Sequence, residues 1–216
     1  MSRKKLKHIL AIESMENVRT DGQLSESPLK GSWHEYFGND NPIVLELACG
    51  RGYYTLALGR RYSDRNIIGI DKKGCRLWGG ADEALKEGLD NVAFLRGYIE
   101  KLDEYFGENE VDEIWITFPD PFPKPSKENK RLTSKRFLDM YRKLVKPGGM
   151  VHFKTDNQKL FEYSLDEIES EKFLIMDVNR DVHRDLKEGS LLGVRTYYEN
   201  KFIEEGKKIN YLKFQV

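Results

Sequence analysis

The sequence predicts a doubly wound α/β fold, and three observations carry that prediction. Short, almost wholly apolar runs recur from Pro42 onward, the pattern of strands buried on both faces of a parallel sheet. Amphipathic stretches of helical period separate them. A glycine turn, Cys49-Gly50-Arg51-Gly52, follows the first apolar run and opens the first helical stretch, the address at which such sheets hold ligands.

Taken in order, Ile43-Val44-Leu45-Glu46-Leu47 is the first strand and Tyr53 to Arg61 the helix after the turn. Ile67 to Asp71 is a second strand, Leu77 to Lys86 a helix, and Asn91 to Leu95 a third strand. Val111 to Phe118 reads as the fourth strand and Met150 to Thr155 as the fifth. Between them Phe137, Leu138, Tyr141, Leu144 and Val145 recur at i, i+1, i+4, i+7 and i+8, one apolar helical face. Ile209 to Val216 sets Asn210, Lys213 and Gln215 between apolar residues and is expected as a final strand, antiparallel at the edge of the sheet. Residues 1–40 carry no strong period and are expected to form an appendage or mobile arm, with 41–216 a single domain.

Composition narrows the function classes. The chain has 216 residues, 36 basic and 36 acidic, with 39% hydrophobic side chains, as expected of one ordinary domain. No apolar run approaches the roughly 18 residues of a membrane span. Arg3, Lys4, Lys5 and Lys7 lead into mixed sequence and not into a signal segment, so a cytoplasmic protein without a membrane partner is expected. Cys49 and Cys75 cannot build a disulfide framework, and His8, His34, His152 and His183 are too scattered for a metal site. Zero net charge argues against indiscriminate coating of nucleic acid, although a neutral total can hide a local basic patch.

Glu46 lies at the end of the first strand, and Gly50 and Gly52 let the backbone of the turn approach a ligand. A dinucleotide-binding turn would read G-x-G-x-x-G, whereas here the third position is Thr55 and Ala48 occupies another possible glycine position. Asp71 ends the second strand roughly twenty residues further on, where an acid accepts ribose hydroxyls. NAD and S-adenosylmethionine both fit. The second is favoured, because Glu46 would repel a pyrophosphate and suits the ammonium of a methionine moiety. The bland alternative is a plain turn followed by a helix capped by Asp71.

At the end of the fourth strand, Phe118 runs into Pro119-Asp120-Pro121-Phe122-Pro123-Lys124-Pro125, four prolines in seven residues. Such a segment is stiff and would hold the Asp120 carboxylate in place beside a ligand. Residues 124–146 then contain nine cations against Glu128 and Asp139. Arg142, Lys143 and Lys146 read as a solvated helix face, whereas Lys124, Lys127, Lys130 and Arg131 lie in a loop where they can meet the phosphates of a polyanion. His152-Phe153-Lys154-Thr155-Asp156-Asn157 ends the fifth strand with another acid, Asp156, which also suits a helix N-cap. His183 is assigned no role. Arg195-Thr196-Tyr197-Tyr198-Glu199 brings a hydroxyl, aromatics and an acid to the start of a helix.

On these residues the chain resembles the bacterial tRNA (guanine-N7-)-methyltransferases. The resemblance runs from about Pro42 to the C-terminus on four motifs, Glu46-Leu47-Ala48-Cys49-Gly50-Arg51-Gly52, Phe118-Pro119-Asp120-Pro121-Phe122-Pro123-Lys124, His152-Phe153-Lys154-Thr155-Asp156-Asn157 and Thr196-Tyr197-Tyr198-Glu199-Asn200-Lys201-Phe202. It implies a class I methyltransferase, Rossmann-like fold with a mostly parallel seven-stranded sheet and an antiparallel edge strand. It also implies S-adenosyl-L-methionine held by Glu46, Gly50, Gly52 and Asp71, Asp120 between cofactor and guanine, and Lys124, Asp156 and Thr196 to Glu199 on the substrate. The target it implies is a guanosine in the variable loop of tRNA, on a monomer or homodimer. The chain departs from the family at Tyr98, followed by Ile99, where an acid near the adenine is usual; adenine would then be met by stacking or backbone contacts, with Glu100 as the lesser alternative. Phe122, Pro125-Ser126 and Tyr197 also replace customary residues.

Guanine N7 has a free lone pair at neutral pH, so the expected reaction needs alignment and a place for positive charge on the purine, not a catalytic histidine. Asp120 is the candidate, accepting from the N1–H and N2–H₂ edge, with Asp156 and Glu199 as further acceptors and Phe122, Tyr197 or Tyr198 stacking on the base. Two rival readings are a methyltransferase acting on another RNA base position and a non-catalytic tRNA-binding protein that retains the fold.

Overall fold

The structure is a computed structural model that describes residues 3–184 and 186–216, with side chains from Leu6 onward. It opens with α1 (Arg3–Ile12), a three-residue β1 (Val18–Thr20), α2 (Asp21–Glu26) and α3 (Trp33–Phe37). Thr20 starts α2 with a reciprocal cap, its hydroxyl accepting from the Gln23 N–H while the Gln23 side chain accepts from the Thr20 N–H. The alternating unit follows: β2 (Ile43–Leu47), α4 (Tyr53–Arg61), β3 (Asn66–Asp71), α5 (Gly74–Glu87) and β4 (Val92–Arg96). Then come α6 (Leu102–Tyr105), β5 (Val111–Thr117), α7 (Lys135–Leu144), β6 (Val145–Thr155), α8 (Gln158–Ser170), β7 (Leu174–Asn179), α9 (Tyr197–Glu204) and β8 (Asn210–Gln215).

The strands form one eight-stranded sheet in the order β1-β4-β3-β2-β5-β6-β8-β7. β2, β3, β4, β5 and β6 pair in parallel, and β8 runs antiparallel to both β6 and β7. The doubly wound class is thus present. The winding reverses between β2 and β5, which opens a crevice at their carboxyl ends. Successive β2 side chains face opposite sides: Ile43, Leu45 and Leu47 join a core with α7 and α8, whereas Val44 joins Leu56 of α4 and Leu77 of α5 on the other face. Glu46 shares the Val44 face, so the fold drives a carboxylate toward α4.

Two features of the sheet differ from the sequence-based expectation. The sheet has eight strands, not seven, and β8 is not outermost, because β7 pairs along its far side. β7 exposes Leu174, Met176 and Val178, so it lacks the one-sided burial that makes a strand legible. Residues 6–40 are also not detached from the domain core. Ile12, Val18, Leu24 and Trp33 are buried, and β1 pairs with β4 through Val18 opposite Phe94. Trp33 stacks on Phe106 at 5.2 Å and donates its ring N–H to the Tyr105 carbonyl at 2.9 Å.

Candidate active site at the carboxyl ends of the central strands

A cavity of about 890 Å³ occupies the crevice between β2 and β5, within the range of small-molecule and cofactor sites. The turn after β2 brings Ala48, Cys49, Gly50 and Arg51 to it, and β5 brings Thr117, Phe118, Pro119, Asp120 and Pro121. Asp156 and Asn157 arrive from β6, and Thr196, Tyr197, Tyr198 and Phe202 from the start of α9. The three later motifs, far apart in sequence, therefore meet at one opening.

The turn is built by its backbone. Gly52 has φ +74°, and a Cβ there would meet the buried Phe94 ring at 2.6 Å. Ala48, at φ +58°, holds a left-handed conformation that costs a non-glycine residue roughly 1–2 kcal/mol. Glu46 is buried below this turn. Its Oε2 accepts from the Thr55 N–H at 2.7 Å and from the Thr55 hydroxyl, and its Oε1 accepts from the Thr117 hydroxyl at 2.9 Å. Gly69 of β3 makes room for this arrangement, since a Cβ there would lie 2.5 Å from the Thr55 oxygen. Burial pushes the Glu46 carboxyl up to about 7, against the opposing effect of these hydrogen bonds.

Asp71 does not cap α5; its Oδ1 accepts from the Lys73 N–H at 2.8 Å and its Oδ2 from the Gly50 N–H at 3.1 Å. It ties the turn after β3 to the turn after β2. Glu46, Gly52 and Asp71 lie behind the cavity surface and do not line it. Tyr98 and Ile99 also lie outside its lining. The Tyr98 N–H donates to the Tyr105 hydroxyl at 3.2 Å, and that hydroxyl donates to Asp21 at 2.7 Å.

Asp120 is exposed at the mouth. Phe118, two residues before it, has φ +51°, a strained conformation for a bulky residue. Packing holds it there: the Phe118 N–H donates to the Lys154 carbonyl at 2.8 Å, and its ring meets Phe202 at 5.9 Å. Asn157 caps α8 by accepting from the Leu160 N–H, so the capping role the sequence left open for Asp156 belongs to its neighbour. Asp156 instead pairs with Lys207 at 3.2 Å.

Two expected contact residues serve the scaffold. Arg131 is only 13% exposed; it donates to the Phe122 carbonyl at 3.2 Å and lies over the Tyr163 ring at 4.1 Å. That pins the loop; Lys124, Lys127 and Lys130 are exposed. Glu199 is fully buried, 2.6 Å from Lys154 Nζ and 2.8 Å from His183 Nε2. Lys154, also buried, donates to the Tyr54 hydroxyl and the Leu192 carbonyl, both at 2.7 Å. Burial lowers the Lys154 pKa, and Glu199 opposes that shift. Lys154 thus ties β6, α4, the loop at Leu192 and α9 together. The sequence reading missed it, since a lysine inside an apolar strand reads as an alternation; its position in a buried-strand pattern was the available signal. His8, Lys73, Cys75 and Arg76 also line the cavity without having been singled out.

Comparison with known proteins shows the family of the chain. Residues 40–212 match the family described as "Putative methyltransferase". The chain is 50% identical over 194 residues to a protein of Porphyromonas gingivalis named tRNA (guanine-N(7)-)-methyltransferase, covering 89% of this chain and 79% of that one. It is 43% identical to a protein of the same name from Christiangramia forsetii, covering 100% and 99%. Among solved structures it is similar to an antibiotic-related methyltransferase, at TM-score 0.64, 20% identity and 86% and 92% coverage. It is also similar to the 16S rRNA methyltransferase KamB, at TM-score 0.63, 14% identity and 91% and 93% coverage. Those two likenesses show the fold; the high identity across whole chains shows descent, and by it this methyltransferase belongs to the tRNA (guanine-N7-)-methyltransferase family.

Proposed function

We propose that the protein transfers a methyl group from S-adenosyl-L-methionine to N7 of a guanosine in the variable loop of tRNA, in the cytoplasm. The observation that carries this reading is the convergence of Asp120, Asp156 and Thr196 to Tyr198 on one cavity above the glycine turn. The residues suit the cofactor: the positive-φ turn exposes backbone at Gly50 and Arg51, and the Asp71 oxygens each keep a lone pair for ribose hydroxyls beyond the one given to a backbone N–H. S-adenosylmethionine supplies an electrophilic methyl when bound. Glu46 places a negative potential under the methionine end, through Thr117, which reaches the cavity.

Asp120 is the catalytic residue of this proposal. Its carboxylate accepts from the N1–H and N2–H₂ edge of guanine and stabilises the positive charge that forms on the purine as N7 is alkylated. The prolines on either side and the strained Phe118 keep it from swinging away. Tyr197 and Tyr198, both exposed, offer rings to the unstacked base. Lys124, Lys127 and Lys130 meet the backbone phosphates.

Labelled S-adenosylmethionine, unmodified tRNA transcripts and nucleoside mass spectrometry test the reading together. Incorporation as 7-methylguanosine, lost when the target guanosine is replaced, is the expected result. Binding of tRNA without incorporation, or a different methylated nucleoside, would overturn it. Asp120→Asn is expected to lower kcat with tRNA saturating by about a hundredfold while cofactor binding persists; unchanged turnover would remove Asp120 from the role.

A further inference from the structure

The cavity has a second basic side that no single stretch of sequence displays. α1 packs along α5, with His8 stacked on Trp78 at 4.0 Å and 10° between planes, and His8 reaches the cavity wall. In sequence, Arg3, Lys4, Lys5 and Lys7 lead up to His8 in α1, and Arg51, Lys72, Lys73 and Arg76 belong to the turn after β2 and the start of α5; Ile12, at the other end of α1, lies against Gly74. Segments 3–12, 48–56 and 72–81 together contain those eight cations and no acid, in a chain whose acids and bases are equal in number. Arg51, Lys73 and Arg76 line the cavity, and Lys7 and Lys72 are exposed beside it. Among the described residues none of these five makes an ion pair, although cations elsewhere on the surface, such as Arg60, Lys135 and Arg142, are paired with acids.

The placement also works against local stability. The first turn of α1 holds no acid and begins with three cations, where the helix dipole disfavours positive charge. An anionic partner at that end of the helix relieves the conflict. The partner is anionic and extended, because the described charges, Lys7, Arg51, Lys72, Lys73 and Arg76, spread over α1, the turn after β2 and the start of α5, inside and outside the cavity.

We propose that α1 and the turns after β2 and β3 form a second phosphate-binding face, which holds the tRNA backbone on the side of the cavity opposite Lys124, Lys127 and Lys130. The inference rests on the tRNA reading above. The sheet order supports the geometry: β3 and β5 flank β2 on opposite sides, so a nucleotide entering the β2–β5 crevice has backbone leaving it in two directions. One strand then meets the loop after β5, and the other meets this face.

The test is the double variant Lys7→Glu/Lys72→Glu in the full chain, against Lys143→Glu/Lys172→Glu. The control carries the same charge change at the other end of the sheet, where Lys143 precedes β6 and Lys172 precedes β7. Neither Lys7 nor Lys72 lines the cavity, and both are exposed and unpaired among the described residues, so the variant is expected to fold. Binding to an unmodified tRNA transcript is measured across a salt series, with binding of S-adenosylhomocysteine alongside. The expected result is an affinity loss of about tenfold near 0.1 M salt and a log–log salt slope lower by roughly 1.4 to 1.8, near 0.7–0.9 for each of two lost phosphate contacts. Cofactor-product binding and the control should stay at the wild-type level. A tRNA affinity and salt slope equal to the control overturns the proposal, as does a loss confined to S-adenosylhomocysteine binding. Failure of the unaltered protein to bind tRNA at all would instead overturn the tRNA reading on which it rests.

Discussion

Glu46 carries a carboxyl that burial pushes from the ordinary 4.5 to about 7, although Thr55 and Thr117 donate hydrogen bonds to it. The folded protein therefore binds this proton more tightly than the unfolded chain does. Its contribution to stability is complete below about pH 4.5 and is lost as pH rises through about 7, a loss of about 3 kcal/mol at most. A cationic ligand nearby favours the charged form, so cofactor binding should expel the proton, and affinity should rise with pH until it levels above about 7. Glu46→Gln should remove both effects. Calorimetry in two buffers of different ionisation heat counts the proton directly, and equal release by the variant would assign it elsewhere. A second prediction concerns Ala48, held at φ +58°. Ala48→Gly relieves left-handed strain but frees the unfolded chain, and the balance is a stabilisation of about 0.5–1 kcal/mol, readable by chemical denaturation.

At the scale of elements, the start of α9 is held from below. Thr196 caps it, its hydroxyl accepting from the Glu199 N–H at 3.1 Å, and the Lys154–Glu199 pair anchors it to β6 and α4. Lys154 Nζ also lies 5.7 Å from the Phe118 ring centre, so one buried ammonium touches both segments that shape the guanine side of the cavity. Lys154→Met leaves the Glu199 carboxylate buried without its cation and should cost about 3–5 kcal/mol. Lys154→Met combined with Glu199→Leu should recover most of that loss, because an apolar pair of similar volume replaces a desolvated one. The recovered double variant separates scaffold from site. If the pair positions α9, its KM for tRNA rises while cofactor affinity holds; wild-type kinetics would restrict the pair to stability.

For the whole molecule, the N-terminal segment belongs to the folding unit. Trp33, the first residue of α3, stacks on Phe106, while Glu110 accepts from the Gly31 and Trp33 N–H groups at 2.8 and 3.0 Å. Trp33→Ala is therefore expected to destabilise the entire chain by about 3–5 kcal/mol, shifting one cooperative denaturation transition. A separate early transition with the main one unmoved would make the segment an appendage after all.

Strand runs and glycine turn were legible because burial on both faces leaves an unbroken apolar signature, and a left-handed turn selects glycine. The placement of Asp120 after β5, and of Asp156 and Thr196 at the ends of their elements, was legible for the same local reason. β1 and β7 were not, since a three-residue strand and a strand with exposed apolar residues carry no period. The sequence alone also left Glu46, Arg131, Lys154 and Glu199 ambiguous. A charged residue reads alike whether it faces solvent, a ligand or another buried charge, and only its partners across the fold separate these cases. The sequence determined the class of fold and the chemistry concentrated at the strand ends. Tertiary structure decided which charges are consumed by the scaffold and which remain for a ligand, because desolvation and pairing arise between segments far apart in the chain.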